Sequence, residues 1–162
     1  MDASPALDIF DPTFVKDIFQ DMAGKYWVND FCSLGLANRW RELAIRAIRL
    51  PQGAAVCDLM TGTGEALPFL LKFIGSEGRV VAVDFSGRML DQAHERIKCL
   101  GAGNVSLVEE GIFSCSLPDT SFDAVTCMFG AKLIPVLQWT AFAALIARLL
   151  RPGGRFILLE LG

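Results

Sequence analysis

Histidine occurs once in these 162 residues, at His94. A Ser-His-Asp type nucleophilic triad or a histidine-built metal cluster is therefore not expected. His94 falls in the middle of an amphipathic run and reads as a solvated helix residue, so it does not identify a general base. Cysteine is present five times, at Cys32, Cys57, Cys99, Cys115 and Cys127, an odd number without a Cys-x-x-Cys pair. That spacing excludes a disulfide framework and a zinc site, and it implies a reducing, cytoplasmic setting. Cys57 and Cys127 fall inside strand-like runs and read as small core hydrophobes. There is no long basic run: Lys and Arg number 15 against 18 Asp and Glu, for a net charge of −3 and a pI near 5.1. Nucleic acid is a poor partner for such a chain. Apolar runs are short as well. Those at Ala66–Leu71 and Ala141–Leu150 are broken by Pro68 and Arg148, so membrane contact is expected to be peripheral at most. Met1 to Pro5 has no basic stretch leading into an apolar one and does not read as a signal peptide.

What the chain does have is a core, with 52% hydrophobic residues, and a sharply defined break in its first apolar strand. Val56-Cys57-Asp58-Leu59-Met60 runs into Thr61-Gly62-Thr63-Gly64-Glu65. Glycines let the backbone bend tightly and leave no Cβ between it and a ligand. A helix over about 65–74 then points its amide end at the turn. A second apolar run, Arg79 to Val83, ends on Asp84. A glycine turn after one strand and an acid at the tip of the next form the layout of a nucleoside site, the acid taking ribose hydroxyls. A dinucleotide fingerprint would place a third Gly or Ala where this chain has Leu67, which weighs against NAD.

The remaining periodicity supplies the frame. Asp11-Pro12 caps a helix carrying Phe14, Val15, Ile18, Phe19 and Met22, and Gly24 ends it. An aromatic connector with Tyr26, Trp27 and Phe31 follows. Asn38 then caps a helix to about Leu50, with Trp40, Leu43, Ala44, Ala47 and Ile48 inward and its arginines, Arg41 among them, on a solvated surface. From Ala54 the pattern alternates: strands at 54–60, 79–83, 105–109, 122–128 and 155–161, with helices at 65–74, 87–100 and 138–150 between them. Ser86 and Gly101 bound the second of these helices. Short apolar strands without alternation belong to a parallel sheet covered on both faces. Right-handed crossovers give the doubly wound α/β order 3-2-1-4-5. The expectation is one structural domain: a helical cap or lid over residues 1–53 and a Rossmann-like core over 54–162.

Asp58, four residues ahead of Gly62, completes the spacing Asp-x-x-x-Gly-x-Gly, which resembles the first motif of S-adenosylmethionine (SAM) methyltransferases. The likeness extends along nearly the whole chain to the C-methyltransferases of ubiquinone and menaquinone biosynthesis. Phe14 to Phe19, Lys25-Tyr26, Asn29, Ser33 to Leu36 and Trp40-Arg41 resemble that family's N-terminal signature. Val83 to Ser86 with Met89-Leu90, Leu117 to Val125, and Leu150 to Gly154 resemble its later motifs in order. The chain departs from the pattern at Trp27, at Gly111-Ile112, where Asp-Ala is usual, and at Lys132-Leu133, where Arg-Asn is usual. The two strands that follow strand five in the family are not present.

The resemblance implies SAM as cofactor and Asp58, Gly62, Thr63, Gly64, Asp84, Phe85, Met89, Met128, Phe129 and Tyr26 as the residues that hold it. In this reading Asp84 takes the ribose, Phe85 and Met89 flank adenine, Met128 and Phe129 floor the sulfonium, and Tyr26 closes over the methionine tail. Lys132 and Tyr26 are the candidate catalytic groups, Lys132 as an electrostatic partner for a phenolate; no metal is expected. The acceptor implied is a small, apolar, cyclic quinol- or phenol-like molecule. The alternative is a SAM-binding partner or regulatory protein that no longer transfers methyl. The apolar fifth strand is expected to pair along its outer edge, with a second copy in a homodimer or with a further segment of chain.

Overall fold

In the computed structural model, residues 35–160 are described. The expected first helix, the connector with Tyr26, Trp27 and Phe31, and Cys32 lie outside them. The elements are α1 (Leu36–Ala47), β1 (Ala55–Leu59), α2 (Leu67–Ile74), β2 (Arg79–Asp84), α3 (Gly87–Leu100), β3 (Val105–Glu109), β4 (Phe122–Met128), α4 (Trp139–Leu149) and β5 (Leu150–Leu159). Two 3₁₀ turns, Ala131–Leu133 and Val136–Gln138, lie between β4 and α4.

The strands pair in parallel in the order β3-β2-β1-β4-β5. Every residue of β1 is buried, because helices cover both faces of the sheet. One face packs Cys57, Leu59, Val125 and Cys127 under Phe142, Leu145, Ile146 and Leu149 of α4. The other packs Val56, Val80 and Ala82 under Ile45 of α1, Leu67, Leu70 and Ile74 of α2, and Ile97 of α3. Ser86 caps α3, its Oγ accepting from Met89 N at 3.4 Å, and Gly101 ends the helix at φ 62°.

Two elements differ from the sequence expectation. α1 begins at Leu36 behind Gly35, and the Asn38 side chain accepts from Arg41 Nη1 at 2.8 Å instead of capping. Its inward face is Arg41 and Ile45, whereas Trp40 and Leu43 are 38% and 50% exposed. Arg41 is thus a buried group and not part of a solvated surface. β5 begins at Leu150 and not at Arg155, with a register break opposite Phe122 and Ala124 that accommodates the Pro152-Gly153-Gly154 turn inside the ladder. Among the described residues β5 is an edge strand.

Candidate functional site: the cleft at the tips of β1, β2 and β4

The order reverses between β1 and β4, and at their carboxyl ends a cleft opens, as in other doubly wound sheets. It encloses about 610 Å³ counting its solvent-open mouth. Its walls include Asp58, Gly62, Thr63, Asp84, Phe85, Met89, Met128 and Phe129. The topology therefore gathers these residues from three stretches of chain around one space. Gly64 does not line it, and Tyr26 lies outside the described residues. Lys132 sits beside the cleft, 3.5 Å from Glu160, with its side chain about half exposed. His94 is exposed on α3. Among the described residues no cluster of three or more His, Cys, Asp or Glu could hold a metal ion.

The glycine loop is held from two sides. Asp58, only 2% exposed, accepts from Thr61 Oγ1 at 2.6 Å and from Thr126 Oγ1 at 2.5 Å. It ties the loop to β4, where Thr126 is its register partner. Asp84 Oδ2 accepts from Gly62 N at 2.8 Å and Oδ1 from Ser86 N at 3.0 Å. Each carboxylate oxygen can accept more than one bond, so these backbone contacts orient Asp84 and leave it able to accept from a ligand. Burial pushes both carboxyls above the ordinary range. For Asp58 the two threonine hydroxyls and the charge of Arg41 oppose burial, and Asp84 adds to it. For Asp84 the opposing groups are the amides of Ser86, Gly62 and Phe85.

The two glycines have different surroundings. A Cβ on Gly62, at φ 57°, would meet no protein atom within 4 Å. A Cβ on Gly64, at φ 75°, would lie 2.7 Å from Leu67 Cδ1 and 3.1 Å from Ala93 Cβ. Gly64 thus lets α2 and α3 close on each other, and Gly62 leaves space open. Met60 and Phe129, at the ends of β1 and β4, also have positive φ values of 57° and 63°. Side chains rarely adopt this conformation; Phe129 is held there by donating its N–H to Leu159 O at 2.7 Å.

Sequence reasoning missed Arg41 and Glu65. Both are nearly buried, they form an ion pair, and both line the cleft. The Arg41 guanidinium lies 4.9 Å from the centre of the Phe129 ring, a cation–π arrangement. The i, i+4 relation of Arg41 to Ile45 was the available signal. Burial pushes the Cys127 thiol up to about 12 and raises that of Cys57 as well, so neither supplies a thiolate.

Comparison with known proteins gives this arrangement a lineage. Residues 8–162 match the family model described as the ubiE/COQ5 methyltransferase family. A curated relative, the ubiquinone/menaquinone biosynthesis C-methyltransferase UbiE of Enterobacter sp. (strain 638), is 33% identical over 148 residues, covering 90% of this chain and 58% of its own length. The chain therefore spans somewhat over half the length of that relative. Among solved structures, a SAM dependent methyltransferase from Aquifex aeolicus is 30% identical with a TM-score of 0.61, covering 69% of this chain and 58% of its own. A chain from the complex between the Haloferax volcanii Trm112 methyltransferase activator and a methyltransferase is 27% identical with a TM-score of 0.67, covering 85% and 57%. With nearly its whole length inside the family model and the sheet order of the methyltransferase structures, the chain belongs to the ubiE/COQ5 methyltransferase family.

Proposed function

We propose that this chain binds SAM in the cleft and serves C-methylation of a small, apolar, cyclic acceptor of quinol or phenol type. The observation that carries the reading is the Gly62–Asp84 pair. A buried acid at the tip of β2 is held by the amide of a glycine whose Cβ side is open. That is a cradle for a ribose with room for the chain attached to it. The cofactor, when bound, supplies an activated methyl group on a sulfonium.

The residues present fit that cofactor. Asp84 accepts from ribose hydroxyls, and Phe85 and Met89 offer apolar faces to adenine. Met128 and Phe129 form the floor, with Thr63 and Gly64 shaping the turn. Asp58 works from beneath, keeping the loop on β4. Arg41 places a buried positive charge against Phe129 and Glu65 at the cleft wall, where it orients the anionic end of a ligand. The catalytic assignments proposed are Tyr26, closing over the methionine tail, and Lys132, which would have to swing from Glu160 to meet a phenolate. Residues 1–53, of which 35–53 with α1 are described, are assigned in this reading as the cap over the acceptor. The free, buried cysteines agree with a cytoplasmic setting, and the outer edge of β5 is the surface where a second copy or a further segment would pair.

Calorimetry with S-adenosylhomocysteine, followed by labelled SAM with a panel of hydroquinones and phenols, tests this. Saturable binding and label transfer to a ring carbon are expected. Binding without transfer to any acceptor would favour a partner or regulatory role, and absence of binding would remove the cofactor reading.

A further inference from the structure

At the other end of the sheet, where β1 and β4 begin, a second hollow opens among arginines. It encloses about 740 Å³ counting its solvent-open mouth, a volume in the range of small-molecule sites. Arg49, Arg151 and Arg155 line it with a single carboxylate, Asp123. That acid is already engaged, accepting from Ala55 N at 2.7 Å and from Arg151 Nη1 at 2.8 Å. Burial opposes its charge, but the Ala55 amide and the charges of Arg151 and of a fourth arginine, Arg79, hold the carboxyl below its ordinary range. The next acid along, Asp119, is paired with Arg148. The helices α1 and α4 both end just before hollow-lining arginines. With each helix end worth about half a negative charge, the four guanidiniums retain an excess of about two positive charges, in a chain whose net charge is −3.

Two features hold the arginines in place. Arg49 has φ 46°, a conformation that costs a non-glycine residue free energy and persists only where its neighbours impose it. Arg155 imposes it, donating from Nη1 to Ile48 O and, at 3.0 Å, to Arg49 O. Arg49 itself forms no ion pair among the described residues. The glycine pair beyond Arg151 keeps the turn tight. A Cβ on Gly154 would stand 2.8 Å from Arg151 O, whereas one on Gly153, at φ 80°, would meet no protein atom within 4 Å.

We propose that this hollow binds the phosphate monoester of a small organic molecule. A guanidinium presents its donors in a planar fork that matches phosphate oxygens two at a time. Arg155 spends one nitrogen on the end of α1 and keeps the rest of its donors. A phosphate ester carries about 1.5 to 2 negative charges at neutral pH, close to the local excess. The hollow is larger than a phosphate needs, and Leu50, Pro51 and Pro152 give it apolar walls for the esterified group. The charge is gathered in one concavity and not spread along a face, which fits a small molecule and not a nucleic acid or an acidic protein surface. The site lies at the opposite end of the sheet from the cofactor cleft and does not rest on the function proposed above.

The test is calorimetric titration of the full chain with inorganic phosphate, phenyl phosphate and ribose 5-phosphate at low ionic strength, with and without S-adenosylhomocysteine. Saturable one-to-one binding of at least one ester is expected, tighter than that of inorganic phosphate, weakened by added salt and unchanged by S-adenosylhomocysteine. Preference for the phenyl or the ribose ester identifies the source as an aryl or a sugar phosphate. Arg49→Gln should weaken ester binding at least about tenfold, the loss of one charge-assisted hydrogen bond, with an unchanged Tm, and Arg49→Lys should restore only part of it. Should Arg49→Gln fail to fold, Arg151→Gln takes its place with the same expected loss. Absence of saturable binding by either ester overturns the proposal, as do folded variants that bind like wild type. So does inorganic phosphate binding as tightly as the esters, since the walls would then recognise nothing, and so does displacement by S-adenosylhomocysteine, which would put the ester in the cleft.

Discussion

Asp58 and Asp84 sit on neighbouring strands, both buried, and both grip the same glycine loop, yet they are used in opposite senses. Asp58 spends its hydrogen bonds on two side-chain hydroxyls beneath the loop. Asp84 takes two backbone amides at the mouth. Gly64 and Gly62 divide in the same way, one against Leu67 and Ala93 and the other against open space. One acid and one glycine shape the loop from inside; the other acid and glycine form the surface a ligand meets. Spacing alone makes the members of each pair look equivalent, and packing separates them.

Arg41 reaches the inner set, its charge acting on Asp58 and its ion pair on Glu65. Arg41→Ala would leave Glu65 buried without that partner. The expected loss is about 3–5 kcal/mol of unfolding free energy, the usual cost of breaking a buried pair from one side, as read from urea denaturation. Glycine substitutions should divide next. Gly64→Ala adds overpacking of about 1–3 kcal/mol to a left-handed penalty of about 1–2 kcal/mol. Gly62→Ala incurs only the latter. Thermal melts should rank the two variants in that order, whereas Gly62→Val should abolish S-adenosylhomocysteine binding while the protein remains folded.

The smallest effect is in pH dependence. Asp58 has a folded pKa raised above the ordinary value of 3.8. The folded state then holds its proton longer than the unfolded chain does. The stability from this group is fully present below about pH 3.8 and is lost as pH rises through the folded value. Asp58→Asn removes that dependence. The stability difference between variant and wild type should therefore shift in favour of the variant as pH climbs above 3.8, as denaturation at a series of pH values would record. A constant difference would mean that Asp58 titrates normally.

The strand order, the glycine turn and the tip position of Asp84 were legible because each follows from a local demand: apolar runs, a turn that requires positive φ, and a strand end. The inward turn of Arg41 was not. Its choice of face depends on Glu65, 24 residues away, and on Phe129, held in a left-handed conformation by its N–H bond to β5. The apolar pattern of α1 pointed to Trp40 and Leu43 instead. The early start of β5 was hidden for a similar reason. Pro152, Gly153 and Gly154 look like a stop, but a register break carries the ladder past them. What local sequence cannot express is which partner, far along the chain, occupies the other side.

The central claim is that Asp84 is the ligand-facing acid of the pair, and calorimetric titration of S-adenosylhomocysteine into wild type and Asp84→Ala tests it most directly. Loss of hydrogen bonds to a charged acceptor, each worth about 1.5–3 kcal/mol, predicts affinity at least about tenfold weaker. Because Asp84 accepts from Gly62 N and Ser86 N on separate oxygens, a thermal melt of the Asp84→Ala variant itself serves as the folding control. Unchanged affinity in a folded Asp84→Ala variant would contradict the account.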